Sequence, residues 1–141
     1  MTAKPKIVVI GAVSAIFPLG ALSTMMQYSG LHGAHLGLCD INAQGLETIH
    51  ALADKMNTAW GAGMTIESST NRRDLLRDAD FVVVSIQVGQ RETVWESDWQ
   101  VPLRYGVRQP YAENGGPGSF AHMARNLPLI IDIARDMEEL C

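Results

Sequence analysis

Short apolar runs rich in β-branched residues alternate with helix-patterned segments along these 141 residues, and this alternation constrains the fold more than any other feature. Four runs are typical of strands: Lys6–Ile10, His35–Cys39, 64–67 and 81–85. The first has the composition of a strand buried on both faces, and the fourth is the clearest buried strand, although one of its edges is expected to lack a neighbour. Because no hairpin turns separate them, the strands should pair in parallel through right-handed crossovers. The sequence thus predicts an α/β fold with a doubly wound parallel sheet, truncated after about four strands.

Residue spacing also places the helices. The first should end near Gly30, and Asn42 should cap a second one whose apolar face carries Leu46, Ile49, Ala53 and Met56. Asn71 and Asp74 resemble a capping box. Residues 93–104 predict a further helix. A long amphipathic helix, interrupted or started by Pro128, is expected from Phe120 onward, with one face formed by Met123, Leu127, Ile130, Ala134 and Met137.

Composition limits the class of protein. With 47% hydrophobic and 18% charged residues, the chain can form one globular domain with its own core. Its net charge of -4, without a cluster of Lys and Arg, argues against a nucleic-acid partner.

The uncharged stretch 7–26 is broken by Gly11, Pro18 and Gly20, which favours a strand and a helix over a signal peptide or membrane span. Cys39 and Cys141 show no disulfide or zinc spacing, and we expect a cytoplasmic protein.

The segment between the first strand and the first helix, residues 11–17, stands where a dinucleotide-binding loop is found. At this position a pyrophosphate meets free backbone N–H groups and the positive end of a helix. Asp40 closes the second strand, where a carboxylate accepts hydrogen bonds from ribose hydroxyls and repels a 2′-phosphate. The sequence therefore predicts that residues 1–141 are the N-terminal, incomplete part of a Rossmann-like domain that binds NAD rather than NADP.

The glycine fingerprint of this loop departs from its usual form. Val13 stands where the second glycine of G-x-G-x-x-G is expected, and Ile16 replaces the third. A side chain at position 13 is expected to crowd an approaching pyrophosphate. A βαβ unit that holds no dinucleotide remains an alternative, although Asp40 and the loop after the fourth strand both belong at the expected carboxyl edge of the sheet.

Other catalytic patterns are missing from the sequence. It has no phosphate loop ending in Gly-Lys-Ser/Thr, no His-Glu-x-x-His and no Gly-x-Ser-x-Gly elbow. Glu92, Glu96 and Asp98 are expected to form a solvated helix face rather than an acid/base pair. Trp95 and Trp99, four residues apart, are expected to form a buried stripe. We therefore assign no catalytic residue and no metal ligand within these residues.

Six short motifs carry a resemblance to a known family. They are Val9-Ile-Gly-Ala-Val-Ser14, Cys39-Asp-Ile41, Asp78-Ala-Asp-Phe-Val-Val83, Ile86-Gln-Val-Gly89, Val101-Pro-Leu-Arg-Tyr-Gly106 and Gly116-Pro-Gly118. The first two motifs occur in any dinucleotide-binding domain. The stretch from Tyr105 to Gln109, followed by Gly-Pro-Gly and Arg125, is much rarer and therefore more specific to the family. Over essentially its whole length the chain resembles the opening of glycoside hydrolase family 4, which includes α-galactosidases, α-glucosidases, α-galacturonidases and 6-phospho-glycosidases.

The resemblance implies a redox route to the cleavage of a small carbohydrate substrate. Bound NAD+ would remove hydride from C3 of the sugar, and the resulting ketone would acidify the C2 proton, so that a base can drive elimination of the aglycone. Water then adds and the hydride returns. A divalent metal, usually manganese, would polarise the O2/O3 side of the sugar. Its ligands and the tyrosine base are expected beyond residue 141, so this part alone would be inactive, and a homo-oligomer is expected.

The resemblance also assigns roles to residues. Those implied to bind NAD are Gly11, Ala12, Val13, Ser14, Phe17, Asp40, Ile41, Gln87 and Gly89. Gln87 and Glu113 are implied to lie on the substrate side. Phospho-glycosidases resembling this chain carry Arg where Gln87 stands, and Arg grips phosphate in bidentate fashion. We therefore expect a non-phosphorylated α-glycoside as substrate, unless Arg91 or Arg108 supplies the charge.

Two other functions stay open at this point. An NAD-dependent 2-hydroxy-acid dehydrogenase of the lactate/malate type shares the same first half. It normally has an Arg-rich mobile loop after the fourth strand, where this chain offers Arg91. A non-catalytic NAD-binding module is the other alternative.

Overall fold

Four parallel strands form one sheet, as predicted, in a computed structural model that describes residues 4–14, 17–108 and 115–141. The strands are β1 (Lys6–Ile10), β2 (His35–Cys39), β3 (Thr65–Ser69) and β4 (Phe81–Val84). Their order across the sheet is β3-β2-β1-β4, and every neighbouring pair is parallel. The predicted doubly wound α/β fold is confirmed.

Five helices connect or follow these strands within the described residues. They are α1 (Phe17–Gln27), α2 (Ala43–Trp60), α3 (Arg72–Leu76), α4 (Arg91–Leu103) and α5 (Pro117–Leu140), with a 3-10 turn at Ser29–Leu31. The last helix begins earlier than predicted and continues through Pro128. None of the helices in the described ranges is long and apolar enough to cross a membrane.

The described residues form two compact units. The first contains the sheet and the helices α1 to α3, and it ends with residues 136–141 from the last turns of α5. The second contains residues 86–135, which include α4 and most of α5. Prediction from the sequence treated the chain as one domain, and this stays a prediction.

Consecutive residues of a strand point to opposite sides, and β1 and β2 each bury four consecutive residues, so both faces of the sheet are covered at these two strands. One face contributes to the main core, whose fully buried members from β1, β2, α1 and α2 include Val9, Leu38, Leu22, Met26 and Ala53. On the other face a Cβ at Gly37 would lie 3.3 Å from Val8 Cγ2 and 3.4 Å from Leu75 Cβ, so α3 approaches the sheet closely there. Burial of each large apolar side chain contributes about 1.5–3 kcal/mol.

Side-chain caps start the helices where the sequence predicts them. Asn42 Oδ1 accepts the Gly45 N–H at 3.0 Å, and Asn71 Oδ1 accepts the Arg73 N–H at 3.2 Å. Gly61 ends α2 in the left-handed conformation, with φ of 62°. Each Asn cap contributes about 1 kcal/mol, and the first one fixes the chain direction directly after Asp40.

The fourth strand is more exposed than predicted. Phe81 is 61% exposed and Val84 is 38% exposed, whereas Val8 and Val9 in β1 are fully buried. The prediction of a buried strand is therefore wrong for Phe81 and Val84 of β4, which is an edge strand and pairs with β1 alone among the described residues. The expectation that one of its edges lacks a neighbour is confirmed for these residues.

The apolar face predicted for α5 is also largely exposed. Met123, Leu127 and Ile130 are between 40% and 45% exposed, while Asn126 and Ile133 are buried. Helical spacing identifies residues that share a face. It cannot identify which face is covered when apolar residues surround the helix, as they do between Met123 and Ile133.

An acidic side chain anchors the end of α5 within the first unit. Asp136 Oδ2 accepts hydrogen bonds from Arg72 Nε and Nη2 at 2.6 Å, and its Oδ1 pairs with Arg73, which also reaches Glu139 at 2.8 Å. Burial opposes ionisation of Asp136, but the hydrogen bonds from both arginines outweigh it and hold the pKa of this carboxyl below its usual range.

The Asp136 cluster should make stability depend on pH. Since the folded-state pKa is lowered, its contribution to the free energy of unfolding should be complete above the unfolded carboxyl pKa of about 4 and should be lost at lower pH. Urea midpoints measured between pH 2.5 and 6 should therefore fall more steeply for the unaltered chain than for Asp136→Asn. Glu138→Gln, an exposed acid two residues away, controls for the change in net charge. Equal slopes for the unaltered chain and Asp136→Asn would contradict this role.

Candidate functional site

Three strands of the first unit end at the same edge of the sheet. Ile10 is paired with both Cys39 and Val84, so the carboxyl ends of β1, β2 and β4 are in register. In open α/β sheets, ligands bind outside the carboxyl ends of the strands. The residues that follow β1 and β2, Gly11 and Asp40, therefore belong to one candidate site.

The loop at residues 11–14 is tied to the end of β2. Gly11 N–H and Ala12 N–H both donate to the Cys39 carbonyl, at 2.8 and 3.0 Å, and Gly11 has φ of 87°, which favours glycine. Ser14 N–H makes only a long contact of 3.4 Å with the Gly11 carbonyl. The first N–H groups of the loop are thus not free, contrary to prediction, because they hold the loop in place. A pyrophosphate would instead need the N–H groups that begin α1 at Phe17, and Ala15 and Ile16 lie outside the described residues.

Asp40 directly follows β2 at this edge, and its side chain accepts two backbone hydrogen bonds. Its Oδ2 accepts the Val13 N–H at 2.9 Å, and its Oδ1 accepts the Asn42 N–H at 3.0 Å. A carboxylate has about four acceptor positions, so roughly two remain for other donors. The fixed, partly buried carboxylate can therefore accept hydrogen bonds from a vicinal diol such as that of a ribose.

The neighbours of Asp40 differ sharply in exposure. Ile41 is 95% exposed and presents an apolar side chain beside the acid. Cys39 is buried, and burial together with the Asp40 charge raises the pKa of its thiol to about 11. The thiol is therefore neutral near pH 7 and suited neither to nucleophilic attack nor to metal binding. It fills the core beneath the site.

Val13 directs its side chain into the protein. It packs against the main core. A Cβ added to Gly45 of α2 would lie only 2.4 Å from the Val13 Cγ1. The Val13 N–H, by contrast, is on Asp40. The residue that departs from the glycine fingerprint is therefore fixed at both its backbone and its side chain.

Gln87 and Gly89, which the sequence predicts near the cofactor, belong to the second unit. Val88 N–H between them donates to Asn126 Oδ1 at 2.9 Å, and Asn126 in turn donates to the His122 carbonyl at 2.8 Å. Gly89 has φ of 89°. The Nε2 atom of Gln87 is buried and has no hydrogen-bond partner among the described residues. The loop is thus held by a buried Asn that sequence reasoning did not identify, while the Gln87 amide retains an unused donor.

The predicted solvated face of α4 is confirmed for Glu92 and Glu96, which are exposed, and wrong for Asp98, which forms a buried ion pair. Asp98 is 5% exposed, and both its carboxylate oxygens accept from the Arg125 guanidinium, with 2.9 Å between Oδ1 and Nη1. Trp99 is 44% exposed, so the predicted buried stripe is wrong for that residue. Arg91 lies over the Trp95 ring, 4.1 Å from its centroid, which orients its charge along α4.

Glu113, predicted on the substrate side, lies outside the described residues. The segment that resumes after it contributes Pro117 and Gly118 to the lining of a cavity of about 400 Å³ in the second unit. Apolar side chains of α4, including Val101 and Pro102, form much of the remaining wall. Among the described residues no group of three or more His, Cys, Asp or Glu side chains could hold a metal ion.

Comparison with known proteins adds to this geometry. Residues 6–141 match the family described as "Family 4 glycosyl hydrolase". Relatives include an alpha-glucosidase of Erwinia rhapontici, 40% identical over 96% of this chain, and an alpha-galactosidase of Bacillus subtilis (strain 168), 33% identical over 96%. A 6-phospho-beta-glucosidase of Escherichia coli (strain K12) is 34% identical over 100% of this chain. The chain spans 30–32% of the length of these relatives.

Solved structures share the fold at lower sequence identity. A 6-phospho-alpha-glucosidase from gut microorganisms, in complex with NAD and glucose-6-phosphate, gives a TM-score of 0.81 at 19% identity, covering 98% of this chain and 31% of that one. A 6-phospho-beta glucosidase from Thermotoga maritima, with manganese, NAD+ and glucose-6-phosphate, gives 0.81 at 18% identity, covering 96% and 32%. From the match over residues 6–141, the chain belongs to family 4 of the glycosyl hydrolases.

Proposed function

We propose that this chain is the N-terminal, NAD-binding part of a longer glycosidase that cleaves O-glycosyl bonds by redox-assisted elimination. The observation that supports this most directly is Asp40, whose two oxygens are fixed by the N–H groups of Val13 and Asn42 at the carboxyl edge of the sheet. This arrangement fits a ribose diol and disfavours a 2′-phosphate. Family membership favours a glycosidase over a 2-hydroxy-acid dehydrogenase or a non-catalytic NAD-binding module.

The residues of this chain would bind and orient the cofactor. When bound, NAD+ would accept hydride from C3 of the sugar and so acidify the C2 proton for elimination of the aglycone. Asp40 would hold the adenosine ribose, and the exposed side chain of Ile41 would offer apolar contact to the adenine. The described residues do not provide a manganese site. We propose that the metal ligands and the catalytic base come from residues beyond 141, and that residues 1–141 alone have no glycosidase activity.

We propose a sugar without a 6-phosphate as the substrate. Gln87 stands where the phospho-glycosidases resembling this chain carry Arg, and the buried Nε2 of its neutral amide has no hydrogen-bond partner among the described residues. A hydroxyl can accept from that donor, whereas a phosphate would lack its charge-assisted partner. Arg91, the nearest cation along this segment, is stacked on Trp95. The relatives include both phosphorylated and non-phosphorylated substrate classes by name, so family membership does not distinguish them and the proposal rests on Gln87.

The full-length enzyme, supplied with NAD+ and Mn2+, should therefore prefer nitrophenyl α-galactoside or α-glucoside to the matching 6-phosphate. The expected ratio of kcat/KM values is about ten- to a hundredfold, since a hydrogen bond to a charged group contributes about 1.5–3 kcal/mol. Gln87→Arg should shift the ratio toward the phosphorylated substrate. Gln90→Arg provides the same substitution in the same loop as a control. Preference of the unaltered enzyme for a 6-phosphate would contradict the proposal of a sugar without a 6-phosphate, and no cleavage of any of the four compounds would contradict an α-glucoside or α-galactoside as substrate.

A further inference from the structure

Gly45 lies opposite Val13, the side chain that occupies the usual place of a glycine in the nucleotide loop. A Cβ on Gly45 would lie 2.4 Å from Val13 Cγ1, far inside the normal carbon–carbon contact distance of about 3.5–4.0 Å. Gly45 is in the first turn of α2 and does not have a positive φ. Backbone conformation therefore does not require a glycine here. The missing side chain at position 45 instead leaves room for the side chain of Val13.

The contacts around this space connect directly to Asp40. Val13 donates its N–H to Asp40 Oδ2, and Asn42 donates its N–H to Asp40 Oδ1. The Asn42 side chain in turn accepts the Gly45 N–H at 3.0 Å. Because these four residues form one closed set of contacts, a displacement of Val13 would change the orientation of the Asp40 carboxylate.

We propose that Gly45 is a positioning residue for the dinucleotide, because its missing side chain seats Val13 on the core side of the loop. This inference rests on the proposed NAD binding. Seated in this way, Val13 leaves the pyrophosphate side of the loop clear and keeps its N–H on Asp40. Val13 then does not crowd the pyrophosphate, in contrast to the expectation from the sequence. Val13 and Gly45 act as a size-matched pair across the loop and α2.

Four variants of the full-length protein test this pair: Gly45→Ala, Val13→Ala, both together, and Gly20→Ala as the control. Gly20 is a helical glycine of α1 whose added Cβ would meet no other side chain of the described residues within 4 Å, so alanine there should leave the melting temperature unchanged or raise it. Gly45→Ala should lower the melting temperature and raise the NAD+ dissociation constant at least tenfold. Val13→Ala removes the clashing Cγ1 and should restore most of both losses in the double variant.

The dissociation constant is measured by calorimetry well below the melting temperature of each variant, so that loss of folded protein is not mistaken for loss of affinity. A Gly45→Ala protein that binds NAD+ as tightly as the unaltered one would overturn the inference, even if it melted earlier. Failure of Val13→Ala to restore affinity would also overturn it, because the Asn42 side chain, 2.9 Å from the added Cβ, would then be the cause. If the unaltered protein itself does not bind NAD+, the proposed cofactor is wrong and this inference falls with it.

Discussion

Replacing Asp40 with alanine in the full-length protein is expected to raise the NAD+ dissociation constant at least about a hundredfold. The substitution removes charge-assisted hydrogen bonds to two ribose hydroxyls, each of which contributes about 1.5–3 kcal/mol, and tenfold in affinity corresponds to about 1.4 kcal/mol. It also removes the acceptor that fixes the Val13 and Asn42 N–H groups, so the loop at residues 11–14 keeps only its backbone hydrogen bonds to the Cys39 carbonyl. Isothermal calorimetry measures the change directly.

Three comparisons make this result specific. Asp54→Ala removes an exposed acid of α2 in the same unit and should leave NAD+ affinity unchanged. Asp40→Asn retains the shape but lacks the charge and one acceptor oxygen, so it should still lose most of the affinity. NADP+ affinity should change little or improve in Asp40→Ala, because the repulsion of the 2′-phosphate is removed. An Asp40→Ala protein that binds NAD+ normally would show that Asp40 does not contact the ribose.

The strands of the first unit were predictable because their signals are local. A run such as Lys6–Ile10 has the composition of a buried parallel strand, and Asn42 and Asn71 are caps whose partners lie within a few residues. Asp40 was predicted at the sheet edge because it directly follows β2. Features that depend on one short stretch of chain can be derived from the sequence alone.

The pairing of Val13 with Gly45 could not be derived in this way. It joins residues 32 positions apart and depends on where α2 begins relative to the loop. From the sequence, Val13 is only a departure from a glycine pattern, and Gly45 is an unfavourable residue in the first turn of a helix. Once the loop and α2 are placed beside the same strand, the valine at position 13 and the glycine at position 45 explain each other, because the side chain of one occupies the space that the other leaves free.

The second unit was predicted less well because burial there depends on partners distant in sequence. Asp98 was placed on a solvated face from its neighbours Glu92 and Glu96, but its cation, Arg125, lies 27 residues away. Asn126 holds the loop at Val88 from a distance of 38 residues. A polar residue within an otherwise apolar helical segment, as in Arg125-Asn126, is the one sequence signal that could have indicated such an anchor.

Asp98→Ala is expected to destabilise the second unit by about 3 kcal/mol, because removal of one partner from a buried ion pair leaves the other charge without compensation. Asp98 has a side chain only 3% exposed, and Arg125 is 29% exposed, so the lower end of the usual range for buried pairs applies. The Nε of Arg125 is already buried without a hydrogen-bond partner among the described residues, which leaves the guanidinium little else to bind. Amide hydrogen exchange along α4 and α5 reports on this unit without requiring the chain to unfold in a single step.

The matched control is Asp132→Ala, which removes the partner of Arg135 on α5. That pair is 3.4 Å apart with both side chains more than half exposed, and exposed pairs of this kind contribute at most about 0.5 kcal/mol. The protection factors of α4 and α5 should therefore fall about a hundredfold or more in Asp98→Ala and about twofold or less in Asp132→Ala. In Arg125→Met with Asp98→Leu, where both charges are replaced by apolar groups, protection should largely return, because no buried charge is left unpaired. Similar small losses in Asp98→Ala and Asp132→Ala would mean that water reaches the Asp98 carboxylate and that the pair does not hold α4 to α5.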